Sequence, residues 1–559
     1  MHSKLKRQED YKMGKNMGKK WMRGMCAILA ALTLMLTAGC AANTGNEAPA
    51  GTNATVGAEQ GATGQVEIDE STGRPNTIRV GMKATLATLN PWAHVNVRGA
   101  VSYAIYESLG RRDNIGGEMK GIIAKDWDTD DYQTYNIEIY DYVYDSAGNH
   151  ITADDVAYCF EQYLTYGTIP LAVEYMKAVD TYKLELKLKT KTLGLLERCF
   201  YNVPIVSKKA FEESPDGMAT APITTSHYIV TDYTAGSHVT LTKNENYWQT
   251  DESLYGPACA ASFDEVTYVS IQEAAQQTIA LETGAIDAFV DASFDEIAKF
   301  DKDKNGQYAD EFDIEWVPYN ASNLIFFSGD PASNVSDDLN LRLAIAHAID
   351  REALIQAVTG GYAFPVEACA SPFSISYPTA DQGNYLVYDL DLAKEFLAKS
   401  NYDGTAIRVL CETGRNLRAA QMIAGMLEAI GIKTEIMSFD TAMFQTYDKD
   451  PSAWDISVSN TGGDYSTTMW TNYLSFNNYD GEQTFYHWKD KELSDAVELA
   501  GSPEGFNMDN INAAERIITD NVYIMCLYNY KKPTIYRSEY AFTDIPNGST
   551  AYAFLWAGK

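Results

Sequence analysis

The first residues placed to do chemistry are a cysteine and the small residues before it. The stretch Leu36-Thr37-Ala38-Gly39-Cys40 ends an uncharged run over residues 25–38, and several basic residues precede that run. The run is too short to span a bilayer and is typical of a secretory signal. The small residues leave the Cys40 thiol unhindered for acylation after cleavage. We therefore expect a signal peptide over residues 1–39 and a lipid-anchored protein at the outer face of the cell membrane. An ordinary secreted protein or a single anchor helix is the alternative.

Motifs of the common enzyme classes are missing from the sequence. It has no G-x-S-x-G, P-loop, G-x-G-x-x-G or H-E-x-x-H pattern, and in Gly501-Ser502-Pro503-Glu504-Gly505 the serine lies beside a proline in a polar turn. A glycosidase needs only two carboxylates, which 76 acidic residues can supply, and 12% aromatic residues would suit sugar stacking. We expect no enzymatic activity, with a secreted glycoside hydrolase as the alternative.

The cysteines and histidines form no ligand pattern in the sequence. Beyond Cys26 and Cys40, six cysteines are scattered without a C-x-x-C pair, and none of the seven histidines pairs with a glutamate at the spacing of one helical turn. We expect no metal and no cofactor. Most thiols should be buried and free, with Cys159–Cys199 as the one disulfide worth testing.

Composition indicates a large acidic globular protein. The 559 residues are 45% hydrophobic, which is enough for more than one core and for two to four domains, and the net charge is −32. Such a surface repels nucleic acid and anionic lipid headgroups, so membrane contact should come from the lipid alone. Residues 41–76 are rich in Ala, Gly, Thr and Asn, and this composition predicts an unordered tether.

The elements that must position any site alternate between strand and helix. Ile78 and Val80 alternate with polar residues as in a short strand, and residues 274–283 predict a helix that ends at Gly284. Apolar residues from Leu341 to Val358 fall at helical spacing. Residues 407–439 predict a strand, helix and strand, which favours a parallel sheet. The fold class is therefore α/β or mixed α and β.

Several segments, taken in order, resemble the signatures of the family 5 extracellular solute-binding proteins of ABC importers, a group that includes oligopeptide, dipeptide and nickel binders. The segments are LNP (89–91), IYESL (105–109), AKDW (124–127), ITADDV (151–156), KNENYW (243–248), LETGAID (281–287) and LRLAIAHAIDR (341–351). Each is weak alone, but their common order is strong evidence. Signature aromatics such as Trp127, Tyr247 and Trp248 are expected to lie in the core rather than to contact a ligand.

The resemblance implies a two-lobed fold like that of the periplasmic binding proteins (type II, cluster C) with an extra inserted domain. After the signal peptide (1–39) and linker (40–76), the implied boundaries are 77–109, 223–317 and 527–559 for domain I, 110–222 for domain II and 318–526 for domain III. Residues 224–228 depart from the family's G-T-G-P-Y, with His227 inside the departure.

The resemblance also implies a function and site residues. In peptide-binding relatives an aspartate matching Asp464 receives the α-ammonium group of the peptide, although Asp464 can instead cap a turn. Tyr465 follows it, and Trp92, His94 and Asn96 resemble the ligand-facing loop, where exposed aromatics would line the site. The implied protein is a monomer that captures a peptide-like solute by lobe closure and delivers it to an ABC permease. A sugar, nickel or haem is the alternative solute.

Overall fold

The computed structural model describes residues 68–69, 74–92, 100–112, 118–166, 172–254, 263–319, 321–378, 387–460, 470, 473–476, 482–542 and 556–558. The strands are β1 (Ile68–Asp69), β2 (Arg74–Pro75), β3 (Thr77–Met82), β4 (Gly110–Arg112), β5 (Met119–Gly121), β6 (Ala124–Asp128), β7 (Thr134–Ile139), β8 (Val173–Asp180), β9 (Lys183–Leu188), β10 (Tyr228–Thr234), β11 (His238–Lys243), β12 (Glu265–Ser270), β13 (Ala288–Phe289), β14 (Phe312–Pro318), β15 (Asn323–Phe327), β16 (Ala363–Pro365), β17 (Ile407–Glu412), β18 (Thr434–Phe439), β19 (Ile456–Asn460), β20 (Ile524–Arg537), β21 (Tyr540–Phe542) and β22 (Trp556–Gly558). The helices are α1 (Ala100–Ile105), α2 (Ala153–Tyr166), α3 (Leu195–Asn202), α4 (Lys208–Glu213), α5 (Ala274–Glu282), α6 (Phe294–Ile297), α7 (Leu339–Ala348), α8 (Arg351–Thr359), α9 (Leu390–Lys399), α10 (Arg415–Glu428), α11 (Thr441–Asp448), α12 (Lys491–Gly501) and α13 (Met508–Asp520).

One mixed sheet runs through both lobes, and the long strand β20 joins its two halves. The sheet order is β10-β11-β12-β3-β13-β20-β15-β19-β17-β18, with β14 and β16 also paired to β20. The first part of β20 pairs with β15, while its last residues pair with β13 and β14. Seven consecutive buried residues begin β20, as expected of a central strand covered on both faces. This strand therefore belongs to both lobes.

Two hydrophobic cores lie on either side of this shared strand. The first core contains Val80, Ile105, Ile137, Phe160 and Tyr268, among others. The second core contains Phe326, Ile345, Leu410, Trp454 and Met525, among others. The second core also takes in residues of predicted domain I, such as Phe289 and Phe300, so that domain contributes to both cores.

A separate four-stranded antiparallel sheet, in the order β6-β7-β9-β8, lies within residues 110–222. Helix α2 contacts β8 and begins after Thr152. The Asp155 carboxylate accepts hydrogen bonds from the Thr152 backbone N–H and hydroxyl, both at 2.8 Å. The ITADDV segment thus starts a helix. The predicted domain boundaries themselves stay predictions.

The strand–helix–strand unit is confirmed, whereas two other predictions are wrong. Strands β17 and β18 are parallel and flank α10. The single helical pattern from residue 341 to 358 is instead two helices, because the Asp350 carboxylate caps the second by accepting from the Ala353 N–H at 2.9 Å. Residues 68–69 and 74–75, assigned from composition to an unordered tether, pair as β1 and β2, since backbone pairing does not depend on apolar side chains.

Of the two cysteine predictions, one is confirmed and the other is not. Five cysteines are buried and free, as expected: Cys159, Cys199, Cys369, Cys411 and Cys526. The Cys159–Cys199 disulfide is not formed: both thiols are free, and the Cys159 thiol donates a hydrogen bond to the Val206 carbonyl at 3.3 Å. None of the helices in the described ranges is long and apolar enough to cross a membrane.

Candidate functional site

Charged residues from both lobes meet where strands of the shared sheet end. Lys83 directly follows β3, and Asp291 comes two residues after β13, which is parallel to β3. Arg415 begins α10, three residues after β17. In open α/β sheets, ligands bind outside the carboxyl ends of the strands. This edge is therefore the first place to look for a site.

Asp291 lies at the centre of this group, which we call the charged cluster: Lys83, Asp291, Arg415 and Lys532. The Lys532 ammonium lies 3.3 Å from Asp291 Oδ2. Burial alone would raise the pKa of Asp291, but Lys532, Lys83 and Arg415 hold it at about 2. The backbone of Asp291 is left-handed, with φ 52°, a conformation that few residues other than glycine adopt. Three cations thus surround one ionised carboxylate.

Aromatic rings lie beneath the cations of the charged cluster. The Arg415 guanidinium lies 4.5 Å from the centre of the Tyr530 ring and 4.9 Å from that of Phe294. The Lys532 ammonium lies 4.2 Å from the centre of the Tyr319 ring. Cations over aromatic faces are held electrostatically, so the rings fix both side chains in place. The cluster is a preorganised surface with more positive than negative charge.

A second ion pair connects the two predicted lobes beside the charged cluster. Arg418, in the first turn of α10, makes two hydrogen bonds to the Asp295 carboxylate of α6, at 2.8 and 3.0 Å. The side chains are 48% and 54% exposed, so the pair is screened by water. Its bidentate geometry orients α10 against α6, but its energy is modest.

Most of the predicted site residues lie outside the described residues. These are Asp464, Tyr465, His94 and Asn96, and the lipidation site Cys40 lies outside them too. The end of the strand before Asp464 is described: the Asn460 amide donates to the Tyr319 hydroxyl at 3.1 Å. Tyr319 is the ring beneath Lys532. The carboxyl end of β19 therefore lies next to the charged cluster.

Trp92 is described, and it is not the exposed loop aromatic that the sequence predicted. Its side chain is 3% exposed and packs on Phe211, with ring centres 4.3 Å apart. The Asn90 side chain turns the chain here by accepting from the Trp92 N–H at 2.9 Å. Burial follows from this turn, which directs the indole into the first core. Whether Trp92 contacts a solute stays a prediction.

Residues of the family signatures form a buried network around Glu107. The Glu107 carboxylate is fully buried, 2.9 Å from Arg111 and 3.5 Å from His227. Ser226 and Tyr247 also donate hydrogen bonds to it, at 2.8 and 3.1 Å. His227, which departs from the family pattern, therefore serves the core. Trp248 is buried as well, which confirms the expectation that it is a core aromatic.

The charged cluster was not among the site residues predicted from the sequence, although charged residues follow several predicted strands. The predicted strands near residues 78–80 and 407–411, and the largely apolar segment 286–290, are each followed within a few positions by a charged residue: Lys83, Arg415 and Asp291 respectively. Lys532 could not be found this way, because it lies inside β20 and meets Asp291 only through the pairing of distant strands.

Three kinds of comparison relate this architecture to known proteins. Residues 118–483 match the family described as "Bacterial extracellular solute-binding proteins, family 5 Middle". The oligopeptide-binding protein OppA of Bacillus subtilis is 22% identical over 353 residues, which cover 58% of this chain and 62% of that protein. The nickel-binding protein NikA of Staphylococcus aureus is 21% identical over 360 residues, covering 63% of this chain and 68% of that protein.

A solved structure agrees in fold with this chain. The periplasmic binding protein DppA of Helicobacter pylori, in complex with the peptide STSA, aligns with a TM-score of 0.71 at 17% identity. The alignment covers 86% of this chain and 98% of DppA. The two-lobed fold is therefore confirmed.

Proposed function

The chain belongs to the family 5 bacterial extracellular solute-binding proteins, and from that premise we propose that it captures a peptide-like solute between its lobes and delivers it to an ABC import permease. The relatives named above are binding proteins, and the glycoside hydrolase alternative finds no support among the comparisons. No bond of the solute is broken in this mechanism. The solute contacts both lobes, binds the closed form more tightly and so shifts the population toward it.

The charged cluster is the observation that carries this proposal. It joins residues of both predicted lobes, three of which lie just beyond the carboxyl ends of strands, and its three cations exceed its single carboxylate. A zwitterionic peptide brings a carboxylate, which such a surface attracts. The Tyr528 hydroxyl beside Arg415 is buried and has no hydrogen-bond partner among the described residues, so a solute atom would satisfy it.

Asp464 is the proposed partner of the opposite end of the solute. Residues 461–469 follow β19, whose last residue Asn460 contacts Tyr319 at the charged cluster. A carboxylate can accept charge-assisted hydrogen bonds from an α-ammonium group inside a closed cleft. Asp464 and the cations would then bind opposite charges of one peptide, which also fixes its direction.

Replacing Asp464 with alanine tests this assignment. We expect Asp464→Ala to weaken the binding of peptides with a free amino terminus by about 1.5–3 kcal/mol, or about 10- to 150-fold, as measured by calorimetry. N-acetylated peptides lack the ammonium group, so their affinity should change little. Asp403→Ala, at an exposed aspartate of the same predicted domain, is the control and should leave both affinities unchanged. Equal losses for free and acetylated peptides would remove the ammonium assignment.

We extend the proposal to the location of the protein. The sequence before Cys40 supports cleavage and acylation, which would hold the binding lobes at the outer face of the membrane near the permease. Two acyl signals on one residue give stable anchoring, whereas one chain gives only reversible binding. Mass spectrometry of the mature N-terminal peptide tests this location. A diacylglyceryl group on Cys40 would support the lipid anchor, and an unmodified terminus would contradict it.

A further inference from the structure

Two cysteines that are 157 positions apart come together with a glutamate inside the second core. Cys369 follows β16, Glu515 lies in α13 and Cys526 lies in β20. Their exposed fractions are 1%, 0% and 2%. The sulfur atoms of Cys369 and Cys526 are 4.0 Å apart, and one donor atom from each of the three residues lies within 4.8 Å of the other two. We call this group the thiol–carboxylate cluster.

The sulfur separation fits a shared metal ion better than a disulfide. Two thiolates on one tetrahedral Zn²⁺, each at about 2.3 Å, lie about 3.8 Å apart. The observed 4.0 Å is close to that value. A disulfide requires about 2.05 Å, which is half the observed separation.

Glu515 supplies the second, independent observation. Its Oε1 accepts a hydrogen bond from the Cys369 backbone N–H at 2.5 Å, while its Oε2 is buried and has no hydrogen-bond partner among the described residues. Burying a carboxylate oxygen without a partner is costly, and a disulfide between the cysteines would leave it in that state. A cation bound to both sulfur atoms would give Oε2 a partner.

We propose that Cys369, Cys526 and Glu515 form a structural zinc site, with the two Sγ atoms and Glu515 Oε2 as ligands. Two soft thiolates and one carboxylate oxygen are a donor set that suits Zn²⁺. These residues supply three of the four ligands of a tetrahedral ion. On binding, the two thiol protons are released to solvent, so the affinity for zinc falls as the pH falls.

The site would fasten three elements of one lobe to each other. β20 is shared by both lobes, so a metal that ties α13 and the segment after β16 to β20 would stiffen the lobe that carries β17 and α10. This role is independent of the solute and goes beyond the proposed transport function. Loss of zinc should therefore lower thermal stability even in the absence of any peptide.

Zinc content and a cobalt spectrum test the proposal. The full chain is purified with a non-chelating reductant, loaded with Zn²⁺, and desalted. We expect about one Zn²⁺ per chain in the wild type and in Cys411→Ser, which removes another buried thiol of the same core. Cys369→Ser, Cys526→Ser and Glu515→Gln should each lose most of the metal. The wild type loaded with Co²⁺ should show thiolate-to-cobalt charge-transfer absorption, and this measurement remains decisive if a variant fails to fold.

Three results would overturn the proposal. The first is a Cys369–Cys526 cross-link in the mass spectrum of the unreduced protein together with no retained zinc, which would identify a disulfide. The second is a metal-free wild type in which both thiols react after denaturation. The third is zinc retained at the wild-type level by Cys369→Ser, which would place any bound metal elsewhere.

Discussion

Replacing Asp455 with alanine is expected to lower the free energy of unfolding by about 3 kcal/mol, because it leaves the half-buried Arg408 and several neighbouring hydrogen-bond donors without their acceptor. The Asp455 carboxylate has no exposed surface, and Arg408 donates to both of its oxygens, at 2.9 and 3.1 Å. The Ser333 hydroxyl and the Asn334 N–H donate to Oδ1, at 3.1 and 2.8 Å, and the Arg408 N–H and the Asn334 side-chain amide donate to Oδ2, at 2.7 and 3.2 Å. Burial by itself would raise the pKa of Asp455, but the hydrogen bonds from Arg408 lower it overall, so the group is ionised at neutral pH.

Urea denaturation at neutral pH measures this loss. Asp495→Ala is the matched control, since Asp495 also pairs with a cation in the same predicted domain but is 62% exposed. Its unfolding midpoint should stay close to that of the wild type. A midpoint for Asp455→Ala equal to that of the control would show that the buried network contributes nothing.

Glu107→Ala, in the first core, should lower the free energy of unfolding by about 3–5 kcal/mol. The size of this effect should depend on pH. Burial by itself would raise the pKa of Glu107, but the charge of Arg111 and the hydrogen bonds from His227 and Ser226 outweigh it and lower the pKa overall. A lowered pKa in the folded chain means that the carboxylate stabilises the fold above the ordinary glutamate pKa of about 4.3. That stabilisation disappears as the pH falls from this value through the lowered pKa.

The difference in stability between the wild type and Glu107→Ala should therefore be full at pH 7 and shrink below about pH 4. Chemical denaturation at a series of pH values measures it. Glu138→Ala, at a glutamate whose side chain is 37% exposed and pairs with Lys125, should show little difference from the wild type at any pH. A Glu107→Ala deficit that grows toward low pH would contradict the assigned ionisation.

The sequence predicts local elements of this fold well where a pattern and its caps agree. Residues 407–439 have both a strand-like pattern and a helix ended by Gly431, and the parallel pair β17 and β18 follows. The pattern from residue 341 to 358 suggests a single helix, because the apolar periodicity continues through two successive helices. Asp350 breaks it as a cap, and a single aspartate does not stand out in a run of apolar residues.

The site was harder to predict than the fold because its residues meet through tertiary structure. Asp291 and Lys532 are 241 positions apart in the sequence. The pairing of β13 with β20 brings them together in the fold. The thiol–carboxylate cluster has the same origin, since Cys369 and Cys526 are 157 positions apart. Trp92 shows the converse: a tryptophan in a predicted loop is buried because Asn90 turns it inward.

Small-angle X-ray scattering with and without peptides tests the central claim most directly. A mixture of short peptides with free termini is added to the purified protein, and the bound fraction is afterwards eluted and weighed by mass spectrometry. The account predicts that the radius of gyration falls on binding as the lobes close, and that the eluted peptides are intact. Cleaved peptides, or peptides that bind without any change in the radius of gyration, would contradict it.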